Sequence, residues 1–413
     1  MKISITPSQV LGEITAPASK SMMIRAVAAS FLSKSKTIIN NTIDSDDIET
    51  AISIIRSLGA EVKKDTEYIT INSTEHIFNA HIDCGESALC LRIFAPLMSL
   101  YNEKVTFTGN KSLQNRYIGD FSVLCNNIDI NFLDKNGYIP FALKGRLKAG
   151  KFNYDDTDSS QVLSGLLMTL PLLGGDSEIT VQNLVSKPYV DLTIKILEDF
   201  GIKIQNQGYQ KFIVKGNQEY ISQKKYTIEG DWSGASFWLV AAAIAGTITV
   251  KRLDMKSKQV DKKFLEALTK CGAALEISET SIKVSKSRLS GFDFDATDCP
   301  DLFPPLVALA INCEEESRIT GVNRLIHKES NRKQALLSEF IKLGAKISIE
   351  NNTMLIKGSK LQGGAVFSHN DHRIAMALAV AALTAENKIE INSAECVSKS
   401  YRGFFEGFSL IRR

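Results

Sequence analysis

Hydroxyl, lysine and arginine side chains recur in short clusters ahead of apolar runs, and the first cluster reads ASKSMMIR, residues 18–25. Ser19 and Ser21 flank Lys20 there, and Arg25 follows on the same helical winding. DTDSSQVLSGLLM (156–168) sets Ser159, Ser160 and Gln161 before another apolar run, and LVSKPYVD (184–191) sets Ser186 and Lys187 before Pro188. Lys328, Glu329 and Arg332 lie in LIHKESNR (325–332); Asp371, His372 and Arg373 head HNDHRIAMALAVAA (369–382). Arg116 in LQNRYIGDF and Lys399 in CVSKSYRGFF repeat the theme. Serine and aspartate in such places serve as helix caps. Hydroxyls and free N–H groups at a helix start equally make an anion site. Cations oppose the helix dipole at that end, so their recurrence at helix beginnings predicts ligands carrying more than one phosphate or carboxylate. Arginine suits bidentate recognition of such groups and lysine supplies a point charge.

The elements that must position these residues repeat. An amphipathic helix, a glycine stop and two alternating strands appear in AISIIRSLGAEVKKDTEYITI (51–71) and TIKILEDFGIKIQNQGYQKFIV (193–214). The pattern returns in FLEALTKCGAALEISETSIKV (264–284) and LLSEFIKLGAKISIENNTMLI (336–356). The stops, Gly59, Gly201, Gly272 and Gly344, are spaced 142, 71 and 72 residues apart. A further unit is therefore expected near residue 130, where FSVLCNNIDINFLDKNGYIPFAL offers Asn127 in place of glycine. A sixth helix, FFEGFSLIRR, ends the chain, and the strands MKISITP and GEITAP are the free candidates for its hairpin. Six units predict an α/β protein of two domains with three helix-plus-sheet repeats each. The expected division is 1–18 with 230–413, holding both termini, and 19–229 inserted, with a ligand cleft between them.

Composition narrows the partners. With 49 basic and 46 acidic side chains among 413 residues, the chain lacks the charge of a dedicated nucleic-acid binder. Its apolar runs, 237–245 among them, are too short to span a bilayer, and the N-terminus lacks the apolar core of a signal peptide. Seven cysteines without a CxxC pair and five scattered histidines point to reduced thiols in the cytoplasm and to no metal.

Taken in order, ASKSMMIR, DSSQ, SKPY, HKESNR, NDHR and SKSYRGF resemble the motifs of the 5-enolpyruvylshikimate-3-phosphate synthases, from about residue 7 to 408. The resemblance implies a two-domain inside-out α/β barrel that joins phosphoenolpyruvate to shikimate 3-phosphate with release of phosphate, without metal or organic cofactor. It implies that Lys20, Ser21, Arg25, Ser159, Ser160, Gln161, Ser186, Asp301 and Lys328 hold shikimate 3-phosphate. Phosphoenolpyruvate falls to Lys20, Arg116, Gln161, Arg332, Arg373 and Lys399. Lys20, Asp301 (in DCPDLFPP) and Glu329 are the implied catalytic groups, the two carboxyls as an acid/base pair. A monomer is expected, with no nucleic-acid or membrane partner. The related transferase acting on a nucleotide sugar usually has a Lys-Asn pair where this chain has SKSMMIR, and a non-catalytic scaffold would not need Lys20, Asp301, Glu329 and Lys399 together.

The chain departs from the family pattern in GESALCLR (85–92), where the family commonly has Gly-Asn-Ala-Gly-Thr-x-x-Arg. After Gly85, Glu86 replaces asparagine, Ala88 the second glycine and Leu89 threonine, beside the expected phosphoenolpyruvate site. The Ala88 methyl is expected to crowd the bulkier inhibitor glyphosate more than the substrate. Inhibition assays on Ala88→Gly should then show greater sensitivity than wild type, and equal sensitivity contradicts the steric argument.

Overall fold

The computed structural model of the chain describes residues 1–73, 77–117, 131–133, 138–155 and 159–413. The expected stop at Asn127 lies outside the described residues. Two compact units emerge, Ala18–Ile228 and Met1–Pro17 with Glu229–Arg413.

The 18–228 unit contains helices α1 (Lys20–Leu32), α2 (Asp46–Ser57), α3 (Ala88–Met98), α4 (Gln161–Thr169) and α5 (Lys187–Asp199). Every residue of α3 is buried, as is α1 from Met22 and α4 from Val162. Sequences this apolar on all faces, rich in Ala, Leu and Met, belong inside a protein. In contrast, α2 and α5 carry charged outer faces and terminate where Gly59 (φ 99°) and Gly201 (φ 83°) adopt the left-handed conformation. Hairpins follow both stops: Glu61–Lys64 with Tyr68–Asn72, and Ile204–Gln207 with Lys211–Val214. Each hairpin is extended by two more strands into a four-stranded sheet, one parallel pair at its edge, and a third such sheet includes Lys104–Thr108 and Phe141–Lys144.

The terminal unit has the same plan. Helices α6 (Trp232–Ala245), α8 (Phe303–Ala310) and α10 (His372–Ala381) are almost wholly buried. Helices α7 (Phe264–Lys270) and α9 (Arg332–Lys342) end at left-handed Gly272 and Gly344, each followed by a hairpin. Helix α11 (Phe404–Ile411) packs Phe404 and Phe408 against Trp238. The two N-terminal strands depart from expectation: they do not pair as one hairpin. Lys2–Ile5 runs antiparallel to Ile389–Asn392, whereas Val10–Thr15 lies parallel to Gly246–Lys251 in another sheet. Alternating hydrophobicity specifies a strand's faces and leaves its partner open. Arg413 N–H donates to Gln9 O at 3.0 Å, so both ends lie in this unit. Among the described residues, no helix is long and apolar enough to cross a membrane.

One glycine sets how closely two inner helices approach. A Cβ built on Gly165 of α4 would stand 2.2 Å from the carbonyl oxygen of Arg92 in α3, a backbone atom that cannot step aside. Gly165→Ala should therefore force the helices apart and destabilise the protein by at least about 1–3 kcal/mol, the usual range for overpacking. Thermal unfolding checks this, and an unchanged midpoint contradicts it.

Candidate active site

In both units several of the side chains singled out from the sequence lie at or near helix beginnings. In the 18–228 unit, Lys20 is the first residue of α1, and its Nζ donates to Asp47 Oδ2 at 2.8 Å. Asp47 belongs to the acidic first turn of α2, where the helix dipole favours a carboxylate, and only 5% of its side chain is exposed. Arg25, one turn further along α1, is buried. Its Nε donates to Thr193 Oγ1 (2.8 Å), Nη1 to Ser21 O (2.9 Å) and Nη2 to Ser164 Oγ (3.4 Å). All three acceptors are neutral, and burial lowers the Arg25 guanidinium to about 10. Among the described residues these oxygens are its hydrogen-bond acceptors, and a buried cation held so is one that an anionic ligand would stabilise.

The serines behave less like caps than their positions suggest. Ser19, Ser160 and Ser186 occupy N-cap positions of α1, α4 and α5, yet none caps with its side chain. Ser160 Oγ instead donates to Ser186 O at 3.3 Å, and Ser186 itself is held at a left-handed φ of 55°. Ser159 Oγ accepts from Gln161 N at 3.2 Å. Gln161 Oε1 in turn accepts from Arg92 Nη1 at 2.9 Å, and Arg92 Nη2 reaches Tyr117 O at 3.3 Å. These contacts bring together Ser159, Ser160, Gln161, Ser186 and Arg92, the last at only 3% exposure.

In the 85–92 stretch, Gly85 turns with φ 52°, and Ser87 caps α3 by accepting from Cys90 N. Ala88 is the buried first residue of that helix, and Glu86 Oε2 accepts from Ser112 Oγ at 2.7 Å. Arg116 follows the short turn Lys111–Leu113, its N–H donating to Leu113 O, and residues 118–130 beyond it lie outside the described ones.

The terminal unit concentrates charge around Arg332, the first residue of α9, whose side chain is fully buried. Its Nη1 donates to Asp301 Oδ1 (2.7 Å), Nη2 to Glu329 Oε2 (2.5 Å) and Nε to Asp371 Oδ2 (2.7 Å). Arg373 Nη2 lies 3.0 Å from Asp301 Oδ2, while Nη1 donates to Ser233 Oγ at the start of α6. Asp371 also caps α10 by accepting from Arg373 N at 3.0 Å. Burial by itself would raise the Asp301 carboxyl, but Arg373, Arg332 and Lys328 overcome it and hold the group well below the usual carboxylate range. The acids act reciprocally: despite burial, Asp371, Glu329 and Asp301 push Arg332 far above its ordinary value. Lys399 is buried as the last residue of the 3-10 turn Ala394–Lys399, not at the head of α11.

Two sequence arguments need correction. Lys328, Lys399 and Arg116 are not first-turn residues of described helices, so the dipole argument does not apply to them. Where it does apply, the protein supplies counter-charge of its own, to Lys20 through Asp47 and to Arg332 and Arg373 through Asp301, Glu329 and Asp371. Sequence reasoning missed Asp47, Arg92, Asp371 as a partner of Arg332, and Ser233. Arg92 had a readable signal, a lone charge inside the apolar run ALCLRIFAPLM.

The fold and these two groups of cations define an α/β enzyme built to handle small anions. A family model described as EPSP synthase (3-phosphoshikimate 1-carboxyvinyltransferase) matches residues 5–408. The chain is 38% identical over 416 residues to the 3-phosphoshikimate 1-carboxyvinyltransferase of Clostridium perfringens, covering 99% of this chain and 98% of the relative. It is 40% identical over 411 residues to that of Clostridium acetobutylicum, covering 98% and 95%. A solved EPSP synthase from Acinetobacter baumannii shares the fold, with a TM-score of 0.83 at 22% identity over 100% of this chain and 98% of that one. The chain belongs to the EPSP synthase family.

The charge cluster makes its own prediction. Asp371→Asn keeps the shape and the cap acceptor but removes one charge from a buried pair with Arg332. A loss of about 3–5 kcal/mol in unfolding free energy is expected. Denaturant titration measures it, and a loss under about 1 kcal/mol, the range of a surface pair, contradicts the reading.

Proposed function

We propose that the chain transfers the enolpyruvyl group of phosphoenolpyruvate to the 5-hydroxyl of shikimate 3-phosphate by addition and elimination, as a step toward aromatic amino acids. The hydroxyl oxygen bonds to C2 of phosphoenolpyruvate, its proton passes to a base, and C3 takes a proton from an acid. The tetrahedral adduct then loses phosphate by C–O cleavage as C3 gives up a proton, which restores the double bond in the product. The observation that carries the reading is the pairing of carboxylates with cations around Arg332. Asp301 and Glu329 bond the same guanidinium through different nitrogens, which sets a proton acceptor and a proton donor beside an anion site. Asp301, held ionised, suits the acceptor, which leaves Glu329 as the donor.

Shikimate 3-phosphate is assigned to Lys20, Ser21, Arg25, Ser159, Ser160, Gln161, Ser186, Asp301 and Lys328. Phosphoenolpyruvate is assigned to Lys20, Arg116, Gln161, Arg332, Arg373 and Lys399, with Gly85, Glu86 and Ala88 close by. The buried Arg25 supports a phosphate in the first set, since its own partners are neutral. Fixed cations also stabilise charge that develops in the adduct. The proposal includes action as a cytoplasmic monomer without metal, cofactor, nucleic acid or membrane.

Phosphate release should occur when phosphoenolpyruvate and shikimate 3-phosphate are both present, and not with a nucleotide-sugar acceptor. Lys20→Ala should cut turnover by roughly a hundredfold or more while the protein still folds and unfolds cooperatively. No release with either acceptor overturns the function, and full activity in Lys20→Ala overturns the role of Lys20.

A further inference from the structure

The segment that delivers Asp371 and Arg373 is tethered at a second point, one the reaction chemistry does not require. His369 and Asn370, just ahead of them, adopt consecutive left-handed conformations (φ 54° and 55°). Such conformations are unfavourable for residues with a Cβ and persist where surrounding contacts impose them. Ser368 supplies part of them, its N–H donating to Asn392 O at 3.1 Å and its Oγ to Ser393 O at 2.9 Å, and Glu339 supplies the rest. Its carboxylate, only 1% exposed, accepts from His369 Nε2 at 2.8 Å and from Phe367 N at 3.0 Å. Ser338 Oγ and Lys342 Nζ complete its coordination at 3.0 and 2.8 Å. With Phe367 N–H, His369, Ser338 and Lys342 all donating, Glu339 is held ionised at about 2 against the effect of burial.

Glu339 stands seven residues after Arg332 in α9, two turns on and on the same face. One face of this helix therefore grips the segment twice. Arg332 holds it after the left-handed pair, through Asp371 Oδ2 at 2.7 Å, and Glu339 holds it before, through Phe367 and His369. Between the two grips, Ser368 ties the turn to itself: its Oγ accepts from Asn370 N (3.1 Å) and its carbonyl from Asp371 N (3.0 Å). Arg373 begins where this turn delivers it.

We propose that Glu339 and His369 are positioning residues for Arg373, fixing the turn that aims its guanidinium at the anionic substrate. The proposal rests on the assignment of Arg373 to phosphoenolpyruvate. His369→Phe keeps a ring beside Phe367, now 5.1 Å away, but removes the donor to Glu339. His369→Gln restores a nitrogen donor at similar reach. Equilibrium titration with phosphoenolpyruvate, shikimate 3-phosphate being titrated separately, should show His369→Phe weakened roughly tenfold for phosphoenolpyruvate, as expected for a small displacement of an anchoring group. Shikimate 3-phosphate, to which Arg373 is not assigned, should lose no more than about twofold in affinity. His369→Gln should recover most of the loss, and Glu339→Ala should reproduce or exceed it. Unchanged phosphoenolpyruvate affinity in both His369→Phe and Glu339→Ala, with Arg373→Ala weakened, overturns the positioning role alone. Equal weakening for both ligands marks a merely structural contact and also overturns it. Wild-type affinity in Arg373→Ala overturns the underlying assignment and this proposal with it.

Discussion

A guanidinium with no exposed side-chain surface must find its counter-charges inside the protein, and Arg332 finds three. That requirement organises much of the terminal unit. It fixes the start of α9, the cap of α10 through Asp371, and the turn that carries Asp301. Breaking any one of these pairs would leave buried charge uncompensated, which is far more costly than losing a surface ion pair. The same cluster reaches Arg373 through Asp301, so the two arginines share an acid. An anionic substrate entering here would compete with the protein's own carboxylates for the same donors. In the proposed reaction that competition is useful. As the arginines turn toward the ligand, the acids they release gain the basicity that proton transfer needs.

The 18–228 unit solves the corresponding problem differently. Arg25 is equally buried and, among the described residues, donates to Ser21, Ser164 and Thr193, and burial lowers its pKa. Lys20 is the exception there, paired with Asp47 at 2.8 Å. One unit thus holds acids and bases in balance, as chemistry on protons demands. In the other, around Arg25, the described residues present hydroxyl groups to the cation, an arrangement that suits the phosphate proposed for it.

What the sequence made legible follows from how local each cause is. The four helix–glycine–hairpin units were readable because a helix stop, a left-handed residue and alternating strands all lie within about twenty residues. The apolar runs behind ASKSMMIR and DSSQ, which became α1 and α4, buried from Met22 and Val162 onward, were visible in composition. Partners across the fold were not. The lysine cluster ASKSMMIR gives no hint that Asp47 will meet it, and nothing near Arg332 points to Asp371, 39 residues on. The N-terminal strands were recognisable as strands, but their separation into two sheets depends on pairing with residues more than two hundred positions away. The serines suited either a cap or an anion site by their spacing, and Ser19, Ser160 and Ser186 make no side-chain cap bond.

If Asp301 and Glu329 compete with substrate for the arginines and serve the proton transfers, removing one charge should separate binding from chemistry. The most direct measurement is the dissociation constant of phosphoenolpyruvate for Glu329→Gln with shikimate 3-phosphate saturating, taken beside its turnover. The account predicts phosphoenolpyruvate bound as tightly as by wild type or more tightly, with turnover reduced by roughly a hundredfold or more, the usual scale for loss of a general acid. Markedly weaker binding with turnover preserved at saturation would contradict it, because Glu329 would then be holding the substrate and not moving its proton.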